Sequence, residues 1–296
     1  PFIRDEIHSR LAHDMGGLAS HGNLAVVFIN GVYYADSPWY NPCERVHEEF
    51  FQEHVGGGDE WDVVGPSWAQ SAGVPGVIDG DRADFQNLVS YVNSQTVTSQ
   101  LVYSNITRRL DLTNFADYCI LNAYAGMGDW PPNNWRAGHD RAGGPWRFVV
   151  WDAEWGMGIY GRPVTLNSFT LTGGGPDDSG LGSVANSEIA QLYDRLRASP
   201  EFRLLWADRV QKHFFNGGAL TGAHITNRFD ELRDELSELM PGMDISILQW
   251  ANDRQPIFFS QMQPYGLLAS SNAPAFNQFG GRVPAGFALV MANLSG

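Results

Sequence analysis

The sequence predicts an α+β fold, with a strand-containing first part leading into a mostly helical second part. Three observations carry this. An Asn-Gly pair, Asn30-Gly31, sits between two short apolar runs and marks a hairpin early in the chain. Helical periodicity dominates from Ser187 to Gln263. The chain has 296 residues, 43% hydrophobic and 12% aromatic, which suffices for a real core in one large domain or two lobes.

The elements follow in order. Residues 2–15 predict a helix, because Ile3, Ile7, Leu11 and Met15 fall on one face and Gly16-Gly17 supplies the stop. Leu24 to Ile29 is an apolar β run, and Val32-Tyr33-Tyr34 begins the return strand after the Asn-Gly turn. Glu44 to His54 reads as a helix carrying Val46, Phe50 and Phe51, broken by Gly56-Gly57-Gly58. Residues 59–82, rich in Gly, Pro and Asp, read as loop. Asp84 to Asn93 reads as a helix capped by Asp81 or Asp84, with Phe85, Leu88, Val89 and Val92 inward. Asp111 is the expected N-cap of a helix that runs to Tyr124 and delivers the chain into Asp129.

Beyond Asp152, residues 156–185 are Gly-rich and read as a mobile loop. Ser187–Leu196, Pro200–Phe214 and Thr221–Met240 read as helices, as does Asp244–Gln263, interrupted by Pro256. From Ala269 the pattern shifts to Ser, Asn, Pro and Gly among alternating apolar residues, with Phe287-Ala-Leu-Val290 a candidate strand. Residues 1–268 are therefore expected to form one domain, and 269–296 a linker and the start of a following β segment. No internal repeat is visible.

The stretch richest in chemistry is Asp129-Trp-Pro-Pro-Asn-Asn134, followed by Trp146-Arg-Phe-Val-Val-Trp-Asp152. The Asn closes the first segment, and a second Asp ends the apolar run Phe148-Val149-Val150-Trp151. Protein kinases lay out a catalytic loop and metal-binding strand in this order. The first Asp accepts the substrate hydroxyl proton, the Asn holds a metal, and the second Asp holds the metals that bridge the ATP phosphates. Phosphoryl transfer needs oxygen ligands and positioned charge more than covalent help. The same residues also read as a Pro-containing turn with an Asn cap and an Asp ending a buried strand, and the loop alone leaves both readings open. Asp152 and Glu154 among Trp151 and Trp155 also fit a glycosidase carboxylate pair on an aromatic platform. On an extended strand the two carboxylates would share a face. Metal binding is the expectation for Asp152, and a strand end beside core Trp residues for Glu154.

Composition excludes several classes. A formal net charge of -14 disfavours nucleic acid, which needs clustered Lys and Arg. No run of about eighteen apolar residues exists, so no membrane span is expected. No signal peptide opens the chain, and Pro1-Phe2-Ile3-Arg4 reads as the interior of a longer or processed protein. The P-loop pattern and Gly-x-Ser-x-Gly are both absent. The 8 His show no zinc spacing, and His8, His13, His47 and His54 are expected at or near the surface. Cys43 and Cys119 form either one disulfide or two buried thiols. Asn105-Ile-Thr107 and Asn293-Leu-Ser295 match the glycosylation pattern. Lys212 is the one Lys among 19 Lys and Arg residues, so no Lys precedes Asp129. A kinase pairs the ATP phosphates with a strand Lys ahead of its catalytic loop. Here that Lys lies upstream of Pro1, or an Arg replaces it, or the chain does not transfer phosphate.

Taken together and in order, several segments resemble the CotH kinases, a family named for spore coat protein H. They are Phe2-Ile-Arg-Asp-Glu6 with Met15-Gly16, Phe28-Ile-Asn-Gly-Val-Tyr-Tyr34, Tyr40-Asn-Pro-Cys-Glu-Arg-Val46 and Asp111-Leu-Thr-Asn-Phe115. Gly128-Asp-Trp-Pro-Pro-Asn-Asn134, Trp146 to Asp152 and Glu201-Phe202-Arg203 complete the set, so the resemblance spans residues 2–266. It implies an atypical protein-kinase-like two-lobe fold whose C-terminal part is mostly helical. It also implies use of ATP with Mg²⁺ or Mn²⁺, and transfer to Ser or Thr of an extracytoplasmic coat or cell-surface protein. By position, Asp129 would be the catalytic base, and Asp152 with Asn134 the metal ligands. Glu44 would lie in the connection between lobes near the nucleotide, and Glu6 would orient the phosphate-binding Lys. Where the family pattern has Tyr-x-Gly-x-Tyr before its Glu-Arg, this chain has the longer Tyr34-Ala-Asp-Ser-Pro-Trp-Tyr40, without the Gly that favours close backbone approach to phosphate. The resemblance would place the family's first strands, and the missing Lys, before Pro1. The other class these residues allow is a non-catalytic, pseudokinase-like surface or adhesion module, with an assembly partner in place of a substrate.

Overall fold

The computed structural model describes residues 2–34, 40–67, 73–236, 245–269, 274–278 and 282–292. The lengthened turn at 35–39, the expected helix end at Met240 and the glycosylation match at Asn293 lie outside these residues.

The α+β expectation holds. The first helix, α1 (Phe2–Met15), buries Ile3, Ile7, Leu11 and Met15 along one face. Glu6, His8 and Ser9 are buried as well, so α1 is enclosed on its polar side too. The placement of His8 corrects its expected surface position, and burial pushes its pKa down to about 4.

A short strand, β1 (Leu18–Ala19), leads into a strap in which Gly22 pairs with Cys43 and Ala25 with Tyr40. The tip of the strap is the expected hairpin, β2 (Phe28–Ile29) and β3 (Val32–Tyr33). It turns at Asn30 (φ 52) and Gly31 (φ 78), the primed turn that Asn-Gly favours. The hairpin stands exposed, and within the apolar run Leu24–Ile29 only the last two residues are strand. The second helix, α2 (Glu48–His54), begins later than its apolar pattern suggests. Asp79 accepts a hydrogen bond from the Glu48 N–H at 3.0 Å and starts the helix there, while Glu44 stays in the strap.

Two strands overturn the loop reading of residues 59–82: β4 (Trp61–Val64) and β5 (Val77–Asp79). Every residue of β4 is buried, so it lacks the alternation that marks a half-exposed strand, and the Gly, Pro and Asp around it masked it. With β6 (Trp135–Asp140) and β7 (Arg147–Val150) they form a mixed sheet of order β1-β7-β6-β4-β5. Strand β1 is parallel to β7 and the other pairs are antiparallel. One face packs Phe50 and Phe51 against Trp61, Val63 and Val149.

The other face meets α3 (Ala83–Ser94), whose Phe85, Leu88, Val89 and Val92 are inward as expected, and α5 (Leu112–Ala125). Between them lies α4 (Gln100–Arg109), where Asn105 bonds Tyr91, a helix the sequence reading passed over. Asp111 caps α5 by accepting from the Asn114 N–H at 3.0 Å. Asn114 then bonds both backbone groups of Phe148, donating to its carbonyl at 3.0 Å and accepting from its N–H at 2.6 Å. This fixes α5 against β7, and so fixes the loop after α5 relative to Asp152.

Helices α6 (Glu188–Leu196), α7 (Pro200–Phe214) and α8 (Gly222–Glu235) start at Ser187, Ser199 and Thr221, each a side-chain cap. The next helix, α9 (Ser246–Met262), runs through Pro256 instead of stopping there, because Ile247, Trp250, Phe258 and Met262 are all anchored in the core. Residues 156–185 are packed, with Phe169, Ser179, Leu181 and Ser183 buried, which corrects the expectation of a mobile loop. Near the C-terminus β8 (Ala275–Phe276) pairs with β9 (Met291–Ala292), a strand that falls just after the expected 287–290. Cys43 and Cys119 are both free thiols, but only Cys119 is buried and Cys43 is exposed, which corrects the expectation of two buried thiols. Among the described residues no helix is long and apolar enough to cross a membrane.

Arg254 of α9 is fully buried and donates to four carbonyls: Ala123 (3.0 Å), Tyr124 (2.9 Å), Val164 (2.6 Å) and Leu166 (2.8 Å). It closes the C-terminal end of α5 and ties it to the packed segment. Arg254→Leu would leave the Tyr124 and Val164 carbonyls without a donor and would remove one of the bonds to Ala123 and Leu166. The expected loss is about 3 kcal/mol or more, read as a lower urea midpoint.

Candidate active site

Helix α5 ends at Gly126, and the chain enters a loop that is clamped on both sides. Gly128 donates to the Trp155 carbonyl at 3.1 Å and Asp129 to the Pro176 carbonyl at 3.1 Å, while Met157 donates back to Ala125 at 2.7 Å. Ser187, the cap of α6, donates its hydroxyl to Pro131 O at 2.9 Å. A Cβ on Gly128 would stand 2.7 Å from Pro176 O and 3.1 Å from Trp155, so only glycine allows this approach.

Asp129 (φ 61), Asn134 (φ 57) and Asp152 (φ 55) all have left-handed backbone. Asp and Asn tolerate this region better than other non-glycine residues, and such residues concentrate at sites where the surrounding structure enforces them. Met157 (φ 52) and Tyr160 (φ 53), on the packed segment beside the loop, share the conformation at greater cost. The left-handed backbone at Asp152 also removes the condition under which Asp152 and Glu154 would share a strand face.

The sheet register brings the pieces together. Trp135 of β6 pairs with Val150 of β7, so Asn134 and Trp151 sit side by side one step beyond the last pair, with Asp152 next. The Asp129 carboxylate accepts from the Asn133 side-chain amide. Asp152 lies among like charges. Burial first, then Glu154, Asp5 and Asp129, push its pKa up to about 6. Arg136 of β6 opposes this shift; its guanidinium lies 4.6 Å from the Trp151 ring centre.

Asp5 of α1 is the group the sequence reading missed. Its carboxylate accepts from the Ala153 N–H at 2.7 Å and from the Asn41 side chain at 3.2 Å, and burial raises its pKa. Asp5, Ser9, Ser20, Asn41, Cys43 and Asp152 line a groove of about 270 Å³. In the sequence it shows only inside the Phe2-Ile-Arg-Asp-Glu6 segment, as an acidic residue in the first turn of a helix, which is ordinarily a response to the helix dipole.

Two expected residues do not line this groove. Glu6 pairs with Arg10 at 2.8 Å, and Arg10 bonds Glu235, so Glu6 is held by an Arg of its own helix. Glu44 accepts from the His21 N–H at 2.8 Å and contacts His54 Nε2 at 3.1 Å, so its carboxylate faces the strap and the end of α2.

The groove suits a hard divalent cation. It offers the Asp5 and Asp152 carboxylates, and the Asn41 Oδ1 and Ser20 Oγ atoms on its wall are buried without hydrogen-bond partners. Oxygen donors of this kind select Mg²⁺ or Mn²⁺ over thiophilic metals. The Cys43 thiol also lines the groove, but burial and the surrounding carboxylates raise its pKa and keep it protonated.

A family model described as CotH kinase protein matches residues 1–252. A comparison with curated proteins finds no match.

A carboxylic acid whose folded pKa is raised stabilises the fold below its unfolded value of 3.8, and that contribution is lost as pH rises through about 6. Asp152→Asn should therefore raise the metal-free melting temperature at neutral pH and leave it unchanged near pH 4. Mg²⁺ should raise the wild-type melting temperature at neutral pH, and progressively less below about pH 6 as protons compete for Asp152. Differential scanning calorimetry across pH measures both.

Proposed function

The chain belongs to the CotH kinase family, and from that premise we propose that it is a metal-dependent ATP:protein phosphotransferase acting on Ser or Thr of an extracytoplasmic coat or surface protein. The observation that carries the proposal is the convergence of Asp129, Asn134 and Asp152 on left-handed backbone at the ends of α5, β6 and β7. A two-lobe kinase arrangement belongs to the same reading, with the groove between α1 and the strap on one side and the end of β7 on the other.

Asp152, Asp5 and Asn134 would hold Mg²⁺ or Mn²⁺, which would supply positive charge to the ATP phosphates. Asp129 accepts the proton of the acceptor hydroxyl, from a loop whose backbone is fixed by Trp155 and Pro176. The Asn133 amide on the Asp129 carboxylate orients that base. Asn114, bonded to both backbone groups of Phe148, keeps the base and the metal-binding Asp in register. Arg136 offsets the negative charge of Asp152 when the groove holds no cation.

One feature favours a second reading, a pseudokinase-like surface module. Lys212 is the one Lys of the sequence and follows Asp129, so no Lys in this chain can pair the ATP phosphates from ahead of the catalytic loop.

Calorimetric titration of ATP with Mg²⁺ or Mn²⁺, beside transfer of radiolabelled phosphate to a Ser/Thr-rich test protein, separates the two. The kinase predicts metal-dependent binding that Asp152→Asn abolishes. Asp129→Asn should keep binding while transfer falls by roughly 10²–10⁴-fold. ATP binding that ignores the metal, or full transfer by Asp129→Asn, would contradict these assignments. Absence of ATP binding by the folded full-length protein would support the module.

A further inference from the structure

We propose that His21, Glu44 and His54 form a second cation site, selective for zinc or a similar transition metal and distinct from the carboxylate groove. One donor atom from each residue lies within 4.8 Å of the others. His54 Nε2 stands 3.1 and 3.2 Å from the two Glu44 oxygens. Donors of a tetrahedral site with bonds of about 2.0–2.1 Å are about 3.3 Å apart, so this pair already has the required spacing.

The three ligands are positioned by the fold. Glu44 is locked to His21 by a reciprocal pair of bonds: its carboxylate accepts from the His21 N–H at 2.8 Å, and its own N–H donates to the His21 carbonyl at 3.0 Å. The His21 ring stacks on His13 of α1, with centroids 4.2 Å apart and planes 10° from parallel. His54 sits on the last turn of α2, its ring 5.5 Å from that of His21. His21 is exposed and the other two are half-buried, so an ion can enter from solvent.

Ligand chemistry separates the two sites. Two imidazoles and a carboxylate with one open position suit zinc, cobalt or nickel, whereas the oxygen-lined groove suits Mg²⁺. Search by spacing missed the set because the ligands come from the outgoing leg of the strap, its return leg and the end of α2. The site also has a structural consequence. The return leg carries Asn41 and Cys43 into the wall of the groove, and an ion on Glu44 would pin that leg to α2.

The test is titration of Zn²⁺ into the full chain with Mg²⁺ in excess, followed by Co²⁺ absorption spectroscopy. Binding of one equivalent is expected, with the intense visible bands of low-coordinate cobalt. His54→Gln and His21→Gln should each weaken affinity at least tenfold. His47→Gln, whose wild-type ring pairs with Asp79 at 3.0 Å outside the cluster, should bind as wild type, as should Asp152→Asn. Circular dichroism confirms that each variant folds. Absence of Zn²⁺ binding, or unchanged affinity in both His54→Gln and His21→Gln, would overturn the site. Loss of binding in Asp152→Asn alone would assign the ion to the groove and overturn it equally. None of these outcomes depends on phosphoryl transfer.

Discussion

The end of helix α5 governs the rest of this structure. A helix leaves its last carbonyls without internal partners, and here they are buried, where water cannot serve them. The N–H groups of Met127 and Met157 serve Asn122 and Ala125, and the guanidinium of Arg254 donates to Ala123 and Tyr124 and to two carbonyls of the segment at 164–166. No carboxylate is among these partners, so the charge is balanced by carbonyl dipoles, and burial pulls the Arg254 pKa down to about 10. The loop that follows α5 inherits its position from this bond set. Arg254 also lies beyond residue 252, where the family match ends. A fragment trimmed to the matched residues would retain every residue of the groove and lose the group that fixes its geometry.

The groove inverts that solution. There the charges are negative and crowded along a solvent-accessible groove, with Glu154, Asp5 and Asp129 all acting on Asp152 and Arg136 opposing them. Carboxylates in such numbers are a liability to the fold and an asset to a site, since a cation that binds there removes the repulsion as it binds. The two backbone ties that hold the arrangement, Asp5 to Ala153 and Asn114 to Phe148, both reach the β7 region, from α1 and α5 respectively.

Much of this was legible in the sequence where local chemistry and tertiary structure agree. The α1 face, the Asn30-Gly31 turn, the Asp111 cap and the inward face of α3 all follow from residue pattern alone. The failures have physical causes. Strand β4 is buried on both faces and so shows no alternation, and α9 passes Pro256 because core packing outweighs one lost backbone bond. Asp129, Asn134 and Asp152 stand out as candidates in the sequence because they lie close together within a recognisable order. Asp5 does not, since only the packing of α1 beside the end of β7 brings it to Asp152. The expected roles of Glu44 and Glu6 rest on position in a family pattern; Glu44 bonds His21 and His54, and one Glu6 oxygen pairs with Arg10 while the other is buried.

The left-handed backbone at Asp129, Asn134 and Asp152 bears on how the motif evolves. Apart from glycine, Asp and Asn are the residues that tolerate such a conformation best. Selection for the shape of the loop would therefore preserve these residues whether or not phosphate is ever transferred. In this fold the backbone alone is reason enough for Asp and Asn to occupy these three positions, with or without catalysis.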